Sequence, residues 1–242
     1  MTQAERARVL QQFWATSFFA FGWTGHEAEA AGIISYLYQL RDEQSQRIGS
    51  GVAPAAKSSY GLYESDFDLL DRAHPGIVKL REFICQSVRQ TVLEINGLKM
   101  QPAEIRVEFR DSWFHITNDG GFHDSHFHGG CSWCGIYYLQ CGESGKRSQG
   151  GAPNGGNRFY SPLGRGGGVE DLGNRYLTFC HLDPPIADGM LLLFPSYLLH
   201  SGLPYRGEKD RVIISFNSCS YPAQEESQAD VRRRVQSGAP TR

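Results

Sequence analysis

Hydrophobic and polar positions change period once along this chain, near residue 100. Before that point apolar residues recur at helical spacing. In "HPGIVKLREFICQSVRQTVLEING", Ile77, Leu80, Ile84, Val88, Val92 and Ile95 form one stripe at steps of three and four. Pro75 opens this segment and Asn96-Gly97 closes it, which predicts a helix with one buried face. "EAEAAGIISYLYQLRDEQ" (27 to 44) predicts an earlier helix despite Gly32. The apolar "VLQQFWATSFFAFGW" before it reads as a strand, and "SGVAPAAKSSYGLYES" (50 to 65) as a loop.

After residue 100 the pattern alternates. "AEIRVEFRDSWFHI" puts Ile105, Val107 and Phe109 on one side and Arg106, Glu108 and Arg110 on the other, as a half-buried strand does. "CGIYYLQC", "GMLLLFP" and "RVIISFNSCSY" are further strand candidates, rich in aliphatic and aromatic residues. Helices first and strands after predict a β-barrel or sandwich with helices on its outside, in the group that includes double-stranded β-helix folds (jelly rolls, cupins). Residues 1 to 11 read as a flexible lead-in, 12 to 221 as a single domain, and 222 to 242 as a disordered tail. Eleven of the 28 glycines fall between 142 and 173, a stretch without hydrophobic periodicity that reads as an insertion or a lid.

Charge and composition narrow the function. A formal net charge of −2 gives no electrostatic grip on nucleic acid or an anionic membrane. No apolar run approaches the roughly 18 residues of a membrane span. Six cysteines in a chain of 242 residues without a secretory pattern are expected to be reduced thiols in a cytoplasmic protein.

The chemistry concentrates in "HDSHFHGGCSWC" (123 to 134). His126 and His128 are one residue apart, so on an extended chain both imidazoles project to one face and can share a metal ion. His200 follows the apolar "LLLFPSYLLH" and offers a third ligand, which would leave coordination positions open. Arg211 starts an alternating strand and shares a face with Ile213, Ser215 and Asn217. Pointed into a barrel, it needs an anion, and a planar guanidinium matches a carboxylate through two parallel hydrogen bonds. Two other readings of the same residues stand beside this one. One is a zinc clip from Cys131, Cys134, His126 and His128, stabilising a barrel that binds a small acid. The other is a three-histidine cupin dioxygenase. A thioredoxin-like role for the C-x-x-C lacks the βαβ context that would lower a thiol pKa.

The segments "DSWFHI", "HFHGGCSWCGIYYL", "LLLFPSYLLHS" and "RVIISFN" together resemble the 2-oxoglutarate/iron(II) oxygenases of the small bacterial and phage type. The resemblance runs from about residue 13 to 221 and implies a double-stranded β-helix. It also implies Fe(II) held at His126, His128 and His200, and 2-oxoglutarate gripped by Arg211 with help from Tyr138. Small-molecule substrate and O2 are the implied partners, and oxidation of a C–H bond with release of succinate and CO2 the implied reaction. The wider superfamily has His-x-Asp where this chain has His126-x-His128, so Asp124 and His123 stand as alternate ligands. Arg110, Trp113 and His115, on the strand before the ligand loop, are the candidate substrate contacts.

Overall fold

A computed structural model describes residues 16–49, 57–59, 61–146, 151–162 and 180–223. The expected lead-in (1 to 11), all of the expected tail beyond Ala223 and the stretch 163–179 lie outside the described residues. Two antiparallel sheets face each other. The larger contains β1 (Phe19–Gly22), β2 (Lys57–Ser59), β3 (Leu62–Glu64), β4 (Ile105–Thr117), β6 (Trp133–Gln140), β9 (Met190–Pro195) and β11 (Arg211–Pro222), in the order β1-β9-β6-β11-β4-β3-β2. The smaller is ordered β5-β10-β7-β8, with β5 (Gly121–His126), β7 (Asn157–Tyr160), β8 (His181–Leu182) and β10 (His200–Tyr205). Two sheets packed in this way, with helices on one outer face, form the expected double-stranded β-helix.

Helices α1 (His26–Gly49) and α2 (Pro75–Asn96) cover the outer face of the large sheet. The α2 stripe does what its spacing predicts, since Ile77, Leu80, Ile84 and Val88 are fully buried. Ile95 is the exception, exposed in the last turn. Gly97 then ends the helix in the left-handed region (φ 59°), returning its N–H to Glu94 O while Leu98 N–H reaches Leu93 O. Among the described residues no helix is long and apolar enough to cross a membrane.

β11 lies at the centre and separates two cores. Val212, Ile214 and Phe216 pack beneath the helices, whereas Ile213 joins Ile136, Tyr138, Phe159, Phe194 and Leu198 between the sheets. β4 does not keep one phase. The ladder pairs Asn217 with Asp111 and Ser218 with Phe109, so Arg110 is an extra residue on the β4 side, a bulge. Val107 and Phe109 therefore face the helix layer before the bulge, and Phe114 and Ile116 face it afterwards. Trp113 and His115 are thereby turned toward the space between the sheets.

Four features depart from the sequence-based expectation. The stretch 50 to 65 is not all loop, because β2 and β3 form a hairpin there around Gly61 (φ 78°), with β3 pairing β4. The expected insertion at 142 to 173 includes β7, a structural strand between β10 and β8. β5 and β10, also unmarked by pattern, carry the histidines. Strands of two to six residues are too short to display an alternation, and polar site residues interrupt the apolar ones. Finally, Pro222 is the last residue of β11, not the first of a tail, and Ala223 N–H donates to Glu104 O at 2.7 Å.

Gly135 shows what the close packing requires. A Cβ there would run into the Phe216 ring and come 2.9 Å from Leu193 Cδ2. Gly32, on the exposed side of α1, has nothing within 4 Å. In urea unfolding, Gly135→Ala should cost about 1–3 kcal/mol by overpacking. Gly32→Ala should add about 0.5–1 kcal/mol, because alanine loses less backbone freedom than glycine on entering a helix.

Candidate metal and carboxylate site

The strand ladder that joins β5 to β10 sets His200 directly opposite His126. His128 lies two residues past the end of β5, in a turn pinned by its own N–H to Ser196 O at 3.0 Å. The three rings converge: centroids are 4.3 Å apart for His126 and His200, 5.0 Å for His126 and His128, and 5.3 Å for His128 and His200. One nitrogen from each lies within 4.8 Å of the others. The expectation of an extended His-x-His pair is thus only half met. Only His126 is in a strand, and the turn brings His128 around.

Backbone carbonyls orient two of these rings. His200 Nδ1 lies 2.9 Å from Leu198 O and His126 Nδ1 2.7 Å from Asp124 O, so each Nδ1–H donates outward and leaves the Nε2 lone pair free. His128 has no such carbonyl; its Nδ1 faces the Asn217 amide nitrogen at 3.4 Å. Burial, reinforced by mutual repulsion, pushes His200 down to about 3 and His128 down to about 4, and also lowers His126. All three imidazoles are therefore neutral near pH 7, the state in which a histidine binds a metal ion.

Across the same cleft stands Arg211, 3 % exposed at the start of β11. Its Nη2 donates to Asn157 Oδ1 at 2.6 Å, and its guanidinium carbon lies 5.7 Å from the centre of the Tyr138 ring. The Nε has no partner, and no carboxylate lies at ion-pair distance among the described residues. Desolvation consequently lowers the guanidinium from its ordinary range. Tyr138 O–H also donates to Asn157 Oδ1, at 2.9 Å, so one amide oxygen holds both side chains. Asn157 is the site residue that sequence reasoning missed. Its only trace is the short "NRFY" alternation after Gly155-Gly156, within a segment read as an insertion.

The cleft is lined by Trp113, His126, His128, Asn157, His200 and Arg211 among others. A neighbouring groove, open to solvent, shares Trp113, His126 and His128 and adds Glu64, Phe67, Asp111 and Asn217. Of the candidate substrate contacts, Trp113 lines both spaces and His115 lines the first. Arg110, the bulge residue, is directed elsewhere and donates to Tyr221 Oη at 2.8 Å. Of the alternate ligands, Asp124 is exposed and accepts the Ser125 N–H at 2.7 Å, outside the histidine group. His123 belongs to a second group with Glu64 and His115. Cys131 and Cys134 have their sulfurs 3.9 Å apart, and among the described residues neither joins a metal-holding group with the histidines. The zinc clip is not assembled.

Residues 111–217 match the family described as "Putative 2OG-Fe(II) oxygenase". No curated protein sequence matches the chain. Among solved structures, the chain is similar to the non-heme α-ketoglutarate-dependent carbocyclase SnoK from nogalamycin biosynthesis. The TM-score is 0.55 at 8 % identity, covering 94 % of this chain and 89 % of that one. It is also similar to the epimerase SnoN in complex with Fe3+, α-ketoglutarate and nogalamycin RO, with TM-score 0.51 and 9 % identity over 86 % of this chain and 81 % of that one. A Pseudomonas putida prolyl-4-hydroxylase matches at TM-score 0.47 and 15 % identity, covering 84 % of this chain and 92 % of its own. At these identities the likeness is one of fold.

Stability of the metal-free protein should depend on pH through these histidines. Below pH 6.5 the unfolded chain binds protons that buried His200 does not, so stability rises with pH over this range and falls as acid is added. Urea unfolding of chelator-treated protein should show His200 alone costing about 1 kcal/mol between pH 7.5 and 5.5. His200→Gln should flatten that dependence.

Proposed function

With residues 111–217 in the 2OG-Fe(II) oxygenase family, oxidoreductases whose cofactors are iron(II) and 2-oxoglutarate, we propose that the chain oxidises a C–H bond of a small molecule. His126, His128 and His200 hold the iron, and Arg211 receives the distal carboxylate of 2-oxoglutarate. The observation that carries this reading is a buried guanidinium without a carboxylate partner among the described residues, in the same cleft as three neutral, converging imidazoles. A buried unpaired charge is costly, and a bound dianion compensates it. The same feature favours this reading over a three-histidine dioxygenase that uses no 2-oxo acid.

The donor set fits the cofactor. Three neutral nitrogens leave coordination positions free for a chelating 2-oxo acid and O2. When bound, iron(II) with 2-oxoglutarate supplies oxygen activation coupled to decarboxylation of the 2-oxo acid to succinate and CO2.

The chain's own residues bind, orient and exclude water. Leu198 O and Asp124 O fix the His200 and His126 tautomers. Asn157 holds Arg211 and Tyr138 in one arrangement, so the carboxylate meets a preset fork and little ordering accompanies its binding. Phe194, Ile136 and Ile213 form the apolar wall of the cleft and keep it dry. The substrate takes the adjoining groove beside Trp113, Phe67 and Asp111. The substrate classes proposed are amino acids and natural-product intermediates. Hydroxylation would appear as a gain of one oxygen in the product mass, and desaturation or cyclisation as a loss of two hydrogens. Six cysteines without a disulfide suit a cytoplasmic setting.

Anaerobic titration of metal-free protein with iron(II) and 2-oxoglutarate tests the centre. A visible charge-transfer band should form, and it should be absent in His126→Ala. In Arg211→Met, loss of a buried charged contact worth about 2 kcal/mol or more should raise the 2-oxoglutarate requirement about 30-fold or more. Absence of a band in folded wild-type protein would overturn the assignment.

A further inference from the structure

Beside the three histidines lies a second convergence of donors, contributed by three different strands. Glu64 comes from β3, His115 from β4 and His123 from β5. Glu64 Oε2 is 2.9 Å from His115 Nε2 and 3.6 Å from His123 Nε2, and one donor atom from each residue lies within 4.8 Å of the others. Glu64 and His115 are 6 % and 7 % exposed, while His123 is half-buried at the edge of the groove. Donors arranged tetrahedrally at metal bonds of about 2.0–2.1 Å stand about 3.3 Å apart. The two separations from Glu64 Oε2 straddle that value.

With Glu64 ionised, hydrogen bonding within the group leaves one neighbour of His115 Nε2 unmatched. The indole N–H of Trp113 is a donor only, and it points at His115 Nε2 from 3.2 Å. If that nitrogen accepts from Trp113 it carries no hydrogen, and it then faces the carboxylate oxygen of Glu64 at 2.9 Å as one acceptor facing another. If it carries a hydrogen, it satisfies Glu64, but the indole N–H is then aimed at another N–H. A single in-plane position on Nε2 cannot serve both neighbours. A metal ion shared by Nε2, Oε2 and His123 Nε2 turns the facing acceptors into ligands and frees the indole N–H for the groove that Trp113 lines.

We propose that Glu64, His115 and His123 form a second metal site for a divalent first-row transition ion, separate from the His126–His128–His200 centre. Two nitrogens and one carboxylate oxygen suit such an ion and leave positions open toward the groove. The two sites adjoin, since His123 Nδ1 lies 3.1 Å from His126 Nδ1. A cation at Glu64 would present an electrophile beside Phe67, Asp111 and Trp113, where an oxygen donor of the substrate can reach it.

Cobalt(II) is the probe. Chelator-stripped full-length chain is titrated by calorimetry, and Co(II) per chain is counted by mass spectrometry after desalting. Circular dichroism verifies the fold of each variant. Two equivalents are expected for the wild type, one for Glu64→Gln, and one for His200→Ala. Because Glu64 is buried and its variant is at risk of misfolding, His123→Asn, at a half-buried position, provides the second test. It should also hold one equivalent, while retaining the charge-transfer band with iron(II) and 2-oxoglutarate. A wild-type stoichiometry of one that His123→Asn and Glu64→Gln leave unchanged would overturn the second site and make the Glu64–His115 contact structural. Loss of both ions in folded His123→Asn would also overturn it, by making His123 part of a single centre. One ion that survives His200→Ala and disappears in Glu64→Gln would uphold this site while removing the ligand set proposed for iron.

Discussion

A guanidinium shut inside a protein without a counter-charge is costly, and the architecture around Arg211 can be read as a response to it. β11 occupies the middle of the large sheet, so its first residue enters the interior. Asn157 and Tyr138 give that charge only neutral company. They fix the direction of the fork without neutralising it, and among the described residues no carboxylate does so, which is the ground on which a bound anion is proposed. The histidine group lines the same cleft from the opposite sheet, so the ligands proposed for a metal and the group proposed for an anion face one space. The two proposals agree electrostatically, because three neutral imidazoles would leave a bound metal's charge to attract the same anion.

Much of this was legible in the sequence, for identifiable reasons. His126, His200 and Arg211 flank or begin strands, and their spacing survives translation from chain to fold because antiparallel pairing brings the start of β10 against the end of β5. The α2 stripe was legible because four helical turns repeat the same signal. Asn157 was not, since β7 is only four residues long and is embedded among glycines. Glu64 was equally hidden. It ends a three-residue strand, and its significance comes from neighbours 51 and 59 positions away. His115 lines the cleft, and local pattern carries no sign of its carboxylate partner Glu64. Arg110 was grouped with Trp113 and His115 by continuity, and a bulge that pattern analysis cannot register separates them.

Backbone carbonyls orient two of the three converging imidazoles. Leu198 O, Asp124 O and Ser196 O each fix one element of the histidine group; Leu198 and Ser196 lie in the connection between β9 and β10, and Asp124 lies within β5. Strand and connection together therefore set the angle at which the rings meet.

The extra residue in β4 gives that strand two reading frames. Up to Phe109 the odd-numbered positions serve the helix layer; from Ser112 onward the even-numbered ones do. Losing one residue at position 110 would merge the frames and turn Phe114 and Ile116 toward the cleft while sending Trp113 and His115 beneath the helices. Length at this point is therefore information of the same kind as residue identity. A lineage descended from this chain can exchange many side chains along β4 gradually, but it cannot gain or lose a single residue there without exchanging its core for its chemistry.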